Sequence, residues 1–161
     1  MDDETSDVTA SFATKQLGDA FDVVAPDGSE IRLLVGTAGC SMAHGTLTPG
    51  RVSLAIMHRT IEEVWYVTAG QGQVWRKQGD REAVVDVAAG SALTIPIGAH
   101  FQFRTAGSAP LCFVMCTMPP WPGAHEAVRV ADYWPVDGVE PKGEAPRSSP
   151  ARALLPGAKP H

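Results

Sequence analysis

The sequence predicts an all-β protein, an antiparallel sandwich or barrel. Three observations carry this. Short apolar runs recur at close intervals, turn signals separate them, and no stretch of the middle section sustains a helical period. Glycine and proline punctuate the runs, supplying the backbone angles that reverse strands.

The runs follow in order. Phe21–Ala25 and Ile31–Val35 flank the turn APDGSE and read as a hairpin. Ser41–Leu47 and Val52–His58 flank Thr48-Pro49-Gly50, and a second hairpin is expected there. Val64–Thr68 and Gln73–Lys77 flank AGQG. Gln78-Gly79-Asp80 then leads to Ala83–Val87, and Ala88-Ala89-Gly90 to Ala92–Ile95. Pro96-Ile97-Gly98 turns into His100–Arg104, and Thr105–Pro110 into Leu111–Thr117. Residues 1–11 read as an acidic arm and 12–118 as the barrel. Residues 119–161 form a Pro/Gly-rich segment, either packed on the barrel or disordered.

A chain of 161 residues with 44% hydrophobic and 19% charged composition can bury one core unaided. The net charge of −5 argues against nucleic acid, which requires a basic face. No apolar run approaches a membrane span, and the acidic N-terminus lacks the pattern of a secretory signal. Cys40, Cys112 and Cys116 show no zinc-type spacing. The last two, in LCFVMCTM, read as reduced residues of a buried strand, so a cytoplasmic location is expected.

Two motifs stand in register. Gly50-x5-Ile56-x-His58-x4-Glu63-x6-Gly70 is followed by Gly90-x5-Pro96-x-Gly98-x2-Phe101-x3-Thr105. In these spacings residues Thr46 to Met118 resemble the cupin superfamily. The resemblance implies a double-stranded β-helix (jelly-roll barrel) with a small-molecule site inside, and often a homodimer. In cupins of this kind, two histidines and a glutamate of the first motif and a histidine of the second bind a divalent metal. Those four positions here hold Ile56, His58, Glu63 and Phe101. Two ligands remain, where three or four are the rule.

Two further histidines are candidates to complete the set. Pairing of 41–47 with 52–58 would set His44 opposite Leu54, on the face of Ile56 and His58. His100 adjoins Phe101 but has the opposite parity, and needs a bulge to face inward. His44 is preferred as third ligand. Strand parity puts Glu63 inside with Trp65, and Glu62 outside. A tight Gly70-Gln71 turn would bring Arg76 opposite Trp65, near Glu63. Ile56, Trp65, Arg76, His100, Phe101 and Phe103 are thus candidate substrate contacts, and Trp121 a cap on one barrel end.

Three functions are expected in competition. One is a metal-dependent enzyme on a small organic substrate, with His58, Glu63 and His44 holding Zn, Fe, Mn or Ni. The resemblance then implies isomerase, lyase or dioxygenase chemistry. Another is a metal-free isomerase, epimerase or cyclase using His58 and Glu63 as acid and base. The third is a ligand-binding protein without turnover.

Overall fold

The computed structural model describes residues 12–136. Its strands are β1 (Val23–Val24), β2 (Glu30–Thr37), β3 (Cys40–Leu47), β4 (Ile56–His58), β5 (Glu62–Ala69) and β6 (Gln71–Gln78). They continue as β7 (Arg81–Ala88), β8 (Ala92–Ile95), β9 (His100–Ala106), β10 (Leu111–Met118) and β11 (Ala127–Arg129). All pairings are antiparallel. One sheet runs β1-β2-β3-β10-β5-β8 and the other β11-β4-β9-β6-β7. Among the described residues the only helical element is a 3-10 turn at Ala124–Glu126.

Alternation along each strand decides what fills the space between the sheets. In β5, Glu63, Trp65 and Val67 are buried while Glu62, Val64 and Tyr66 are exposed. Trp65, Val67, Leu47, Leu111 and Phe113 of the first sheet meet Ile56, Val74, Phe101 and Phe103 of the second in one core cluster. Trp65 stacks on Phe113 at 4.2 Å, and Phe103 meets both rings edge-on. Fully burying such side chains stabilises by about 1.5–3 kcal/mol each.

Two expected hairpins are instead crossings between sheets. Leu47 and Ile56 are not joined by a tight turn. β3 lies between β2 and β10, while β4 sits in the other sheet beside β9 and β11. Likewise β5 pairs with β10 and β8, and β6 with β7 and β9. The cause is local at Gly70, which has φ 79° and lies against Pro110. A Cβ there would sit 2.1 Å from the Pro110 carbonyl oxygen, so only glycine lets the chain change sheets here. The hairpin about APDGSE forms as expected, with Val23 opposite Ile31, and β6 and β7 pair across the Gln78-Gly79-Asp80 turn that separates their runs.

The segment after β10 belongs to the fold as far as Pro135-Val136. β11 pairs with β4, His58 facing Ala127. Gln102 is fully buried and fastens Trp134: its Nε2 donates to the Ser53 and Trp134 carbonyls, and its Oε1 accepts from Tyr133 N and Trp134 N. The barrel unit therefore extends past 118. The acidic arm 1–11 and residues 137–161 lie outside the described residues. Cys40, Cys112 and Cys116 are free and half-buried. Cys112 and Cys116 do not join the core, because Leu111 and Phe113 occupy the inward positions of β10.

Candidate functional site

His58 ends β4 and Glu63 is the second residue of β5, so the site spans both sheets across the short loop Arg59–Ile61. Glu126 clasps that loop. Its buried carboxylate accepts from Thr60 N, Thr60 Oγ1 (2.9 Å) and Ile61 N (2.8 Å). These donors hold its pKa below the usual carboxylate range, against the cost of burial. With the loop fixed, His58 Nδ1 and Glu63 Oε1 stand 3.9 Å apart, both side chains almost wholly buried.

Their surroundings set their charge. Glu63 Oε2 accepts a 2.7 Å hydrogen bond from Trp65 Nε1. Burial nonetheless pushes Glu63 up to about 8, and the nearby Asp27 carboxyl adds to the push. Burial pushes His58 down to about 4, although the Glu126 carboxylate draws it partly back. At neutral pH the contact therefore joins a protonated carboxyl and a neutral imidazole, and His58 Nδ1 has no hydrogen-bond partner.

A cavity of about 590 Å³ opens beside them. Ile56, Trp65, Phe101 and Trp121 give it apolar walls, and the His58 ring lies edge-to-face with Phe101 (5.2 Å) and Trp121 (5.6 Å). Its polar groups are His58, Glu63, Asp27, Ser41 and Thr117. Ser41 Oγ and Thr117 Oγ1 share a hydrogen bond, and Trp121 N donates to Ser41 Oγ at 3.0 Å, which secures the cap.

The family profile described as "Cupin domain" matches residues 43–117. Residues 43–117 are a cupin domain. Among solved structures the chain is similar to BH2720 from Bacillus halodurans, with a TM-score of 0.52 and 22% identity over 56% of this chain and 70% of that one. It is also similar to oxalate decarboxylase from Bacillus subtilis, with a TM-score of 0.58 and 16% identity over 68% of this chain. The Lactobacillus farciminis oxalate decarboxylase formate complex gives 0.55 and 19% over 63%. The chain spans about 30% of the length of these decarboxylases, and at such identities the likeness is one of fold. No curated protein matches.

The cupin frame brings together His58, Glu63, Ile56, Trp65 and Phe101, as their motif positions and parity predict. Phe103 packs edge-on against the stacked Trp65 and Phe113 rings as core and is not part of the cavity wall. Three other candidates fall elsewhere. His44 is on the opposite face of β3 from the cavity: its neighbours Ala43 and Gly45 face inward, and a Cβ on Gly45 would meet the Phe113 ring. His44 is instead flanked by Arg32 and Val114, and burial together with the Arg32 charge lowers its pKa. Arg76 has inward parity and stands opposite Phe101 in β9, yet it does not line the cavity and instead donates to the Thr94 carbonyl. His100 opens β9 opposite Lys77, and no bulge turns it toward His58.

Asp27 was concealed in the sequence as a turn residue. Its Oδ1 accepts from Ser29 N (2.8 Å) and Ser29 Oγ (2.6 Å), yet the hairpin folds over the barrel and buries the carboxyl in the cavity lining. Ser41 and Thr117 gave no signal beyond strand parity.

The divalent metal implied by the family can be tested against these donors. Ile56 and Phe101 fill two of the four ligand positions with hydrocarbon, and their Cα atoms face one another across β4 and β9. Among the described residues no three His, Cys, Asp or Glu side chains converge closely enough to share an ion. The donor set does not fit the family's four-ligand centre.

Proposed function

We propose that the chain is a small-molecule cupin enzyme that moves protons without a metal, with His58 as base and Glu63 as acid. The observation that carries this reading is the pair itself: two buried, facing groups whose environments push their pKa values in opposite directions, Glu63 to about 8 and His58 to about 4. Such a pair keeps a proton donor and an unprotonated acceptor side by side at neutral pH.

The hydrogen bond from Trp65 occupies Glu63 Oε2, so the acid proton resides on Oε1, the oxygen facing His58. A substrate held against Ile56, Phe101 and Trp121 would lose a proton to His58 Nδ1 and receive one from Glu63 Oε1. The imidazolium and carboxylate so formed attract one another across a dry gap, which offsets the weakness of a base shifted so low. Return of the proton from His58 to Glu63 closes the cycle. Isomerase, epimerase, cyclase or lyase reactions all fit this scheme, and the cavity size suits a small organic metabolite.

The test is incorporation of solvent deuterium into a panel of small carbonyl and hydroxy compounds, followed by NMR. The expected result is exchange by the parent that falls by at least about a hundredfold in Glu63→Gln and in His58→Ala. Stoichiometric metal in protein purified without chelator, lost on His58→Ala, would instead establish the metal-dependent reading. Saturable binding of a panel member with no exchange would establish a ligand-binding cupin.

A further inference from the structure

The cavity's charge selects among possible ligands. Two of its lining residues are carboxylic acids, Asp27 and Glu63, near enough that one raises the pKa of the other. Neither lysine nor arginine lines it. Arg32, on the same strand as the cavity residues Ile31 and Leu33, turns away and donates to the Gly18 and Asp19 carbonyls. Arg76, opposite Phe101, is outside the lining and donates to the Thr94 carbonyl. His58 presents a buried Nδ1 without a partner beside Glu63, an unfilled hydrogen-bonding position at the cavity wall.

We propose that this cavity takes a small amphiphilic cation, an ammonium carried on an apolar or aromatic body, and rejects carboxylates. The ammonium would sit between Asp27 and Glu63, donating to one or both. The body would lie against Trp65, Phe101 and Trp121. Aromatic faces and acid side chains together suit an organic cation, because ring faces present negative potential and an ammonium beside Asp27 and Glu63 accepts stabilisation from either acid as it ionises, the displaced proton passing to solvent. An anionic ligand meets the reverse: two acids, no compensating cation, and walls that exclude water. The fold neighbours named for oxalate thus share the barrel but not the ligand charge that this lining accepts.

The inference rests on the same site as the acid–base reading but not on turnover, and the experiment separates them. Binding of phenethylammonium, phenethyl alcohol and phenylpropanoate to the full chain at neutral pH is measured by isothermal titration calorimetry. These probes share a phenyl group and differ in charge. The expected order is ammonium at least about tenfold tighter than alcohol, with the carboxylate weakest. Asp27→Asn is expected to narrow the ammonium-to-alcohol ratio at least about fivefold, and Glu63→Gln serves as a second variant should the β1–β2 turn fail to fold. Equal affinities, tighter carboxylate binding, or no binding of any probe at millimolar concentration overturns the proposal. Ammonium selectivity in a protein that exchanges no deuterium leaves it standing and removes the acid–base reading.

Discussion

Replacing Glu63 by glutamine should change the pH dependence of stability in a way calculable from the site. Folding raises Glu63 from 4.5 to about 8, so the native state keeps a proton that the unfolded chain releases. Its contribution is fully present below pH 4.5 and is lost as pH rises toward 8, by about 1.4 kcal/mol per pH unit. Folding lowers His58 from 6.5 to about 4, so its contribution has the opposite slope and is lost as pH falls through that window. Between about pH 4.5 and 6.5 the two cancel, and above 6.5 only Glu63 remains. The parent should therefore be level and then lose roughly 2 kcal/mol by pH 8. In Glu63→Gln the descending limb disappears and stability rises up to pH 6.5. Asp27, also raised by burial, and Glu126 and Asp132, both lowered by their hydrogen-bond donors, are common to both proteins and largely drop out of the difference. Urea denaturation in chelator at several pH values from about 5 to about 8 gives the curves. A difference between the two proteins that stays constant over this range would refute the buried, protonated Glu63.

Glu126→Ala strips acceptors from the amides of Thr60 and Ile61 and should cost about 2–5 kcal/mol in urea denaturation, with Glu126→Gln recovering part of it. Gly70→Ala adds a Cβ into the Pro110 carbonyl at φ 79°, and should lower stability by about 3 kcal/mol or more or prevent soluble expression. Gln102→Leu leaves the Tyr133 and Trp134 amides without their acceptor. The expected outcome is a loss of about 2–4 kcal/mol and a red-shifted emission as Trp134 leaves Ala55 and Trp75.

Strand period and turn chemistry made the barrel legible, because alternation in a stretch such as EEVWYV admits one inward set: Glu63, Trp65, Val67. The motif spacings likewise placed His58 beside Glu63. What single strands do not encode is their partner. Pairing of β3 with β4 would turn His44 inward, but β3 pairs with β2 and β10 and His44 lies on the outer face. Local pairing of β5 with β6 would set Arg76 beside Trp65, but the chain changes sheets where Gly70 packs on Pro110, and Arg76 pairs with Phe101. Asp27 was invisible for a different reason. An Asp-Gly turn has the same sequence signature whether it faces water or folds over a cavity.

The Glu126 clasp makes distant parts of the sequence answer to one another. The profile match ends at residue 117, yet the loop that spaces His58 from Glu63 is fastened from nine residues beyond it. An exchange of barrel strands between related chains would carry over the histidine and the glutamate but leave behind the carboxylate that aligns them. Inheritance of this pair's spacing therefore requires inheritance of the loop's anchor, and a divergent replacement of residues 119–126 would release the loop while leaving both motif residues in place.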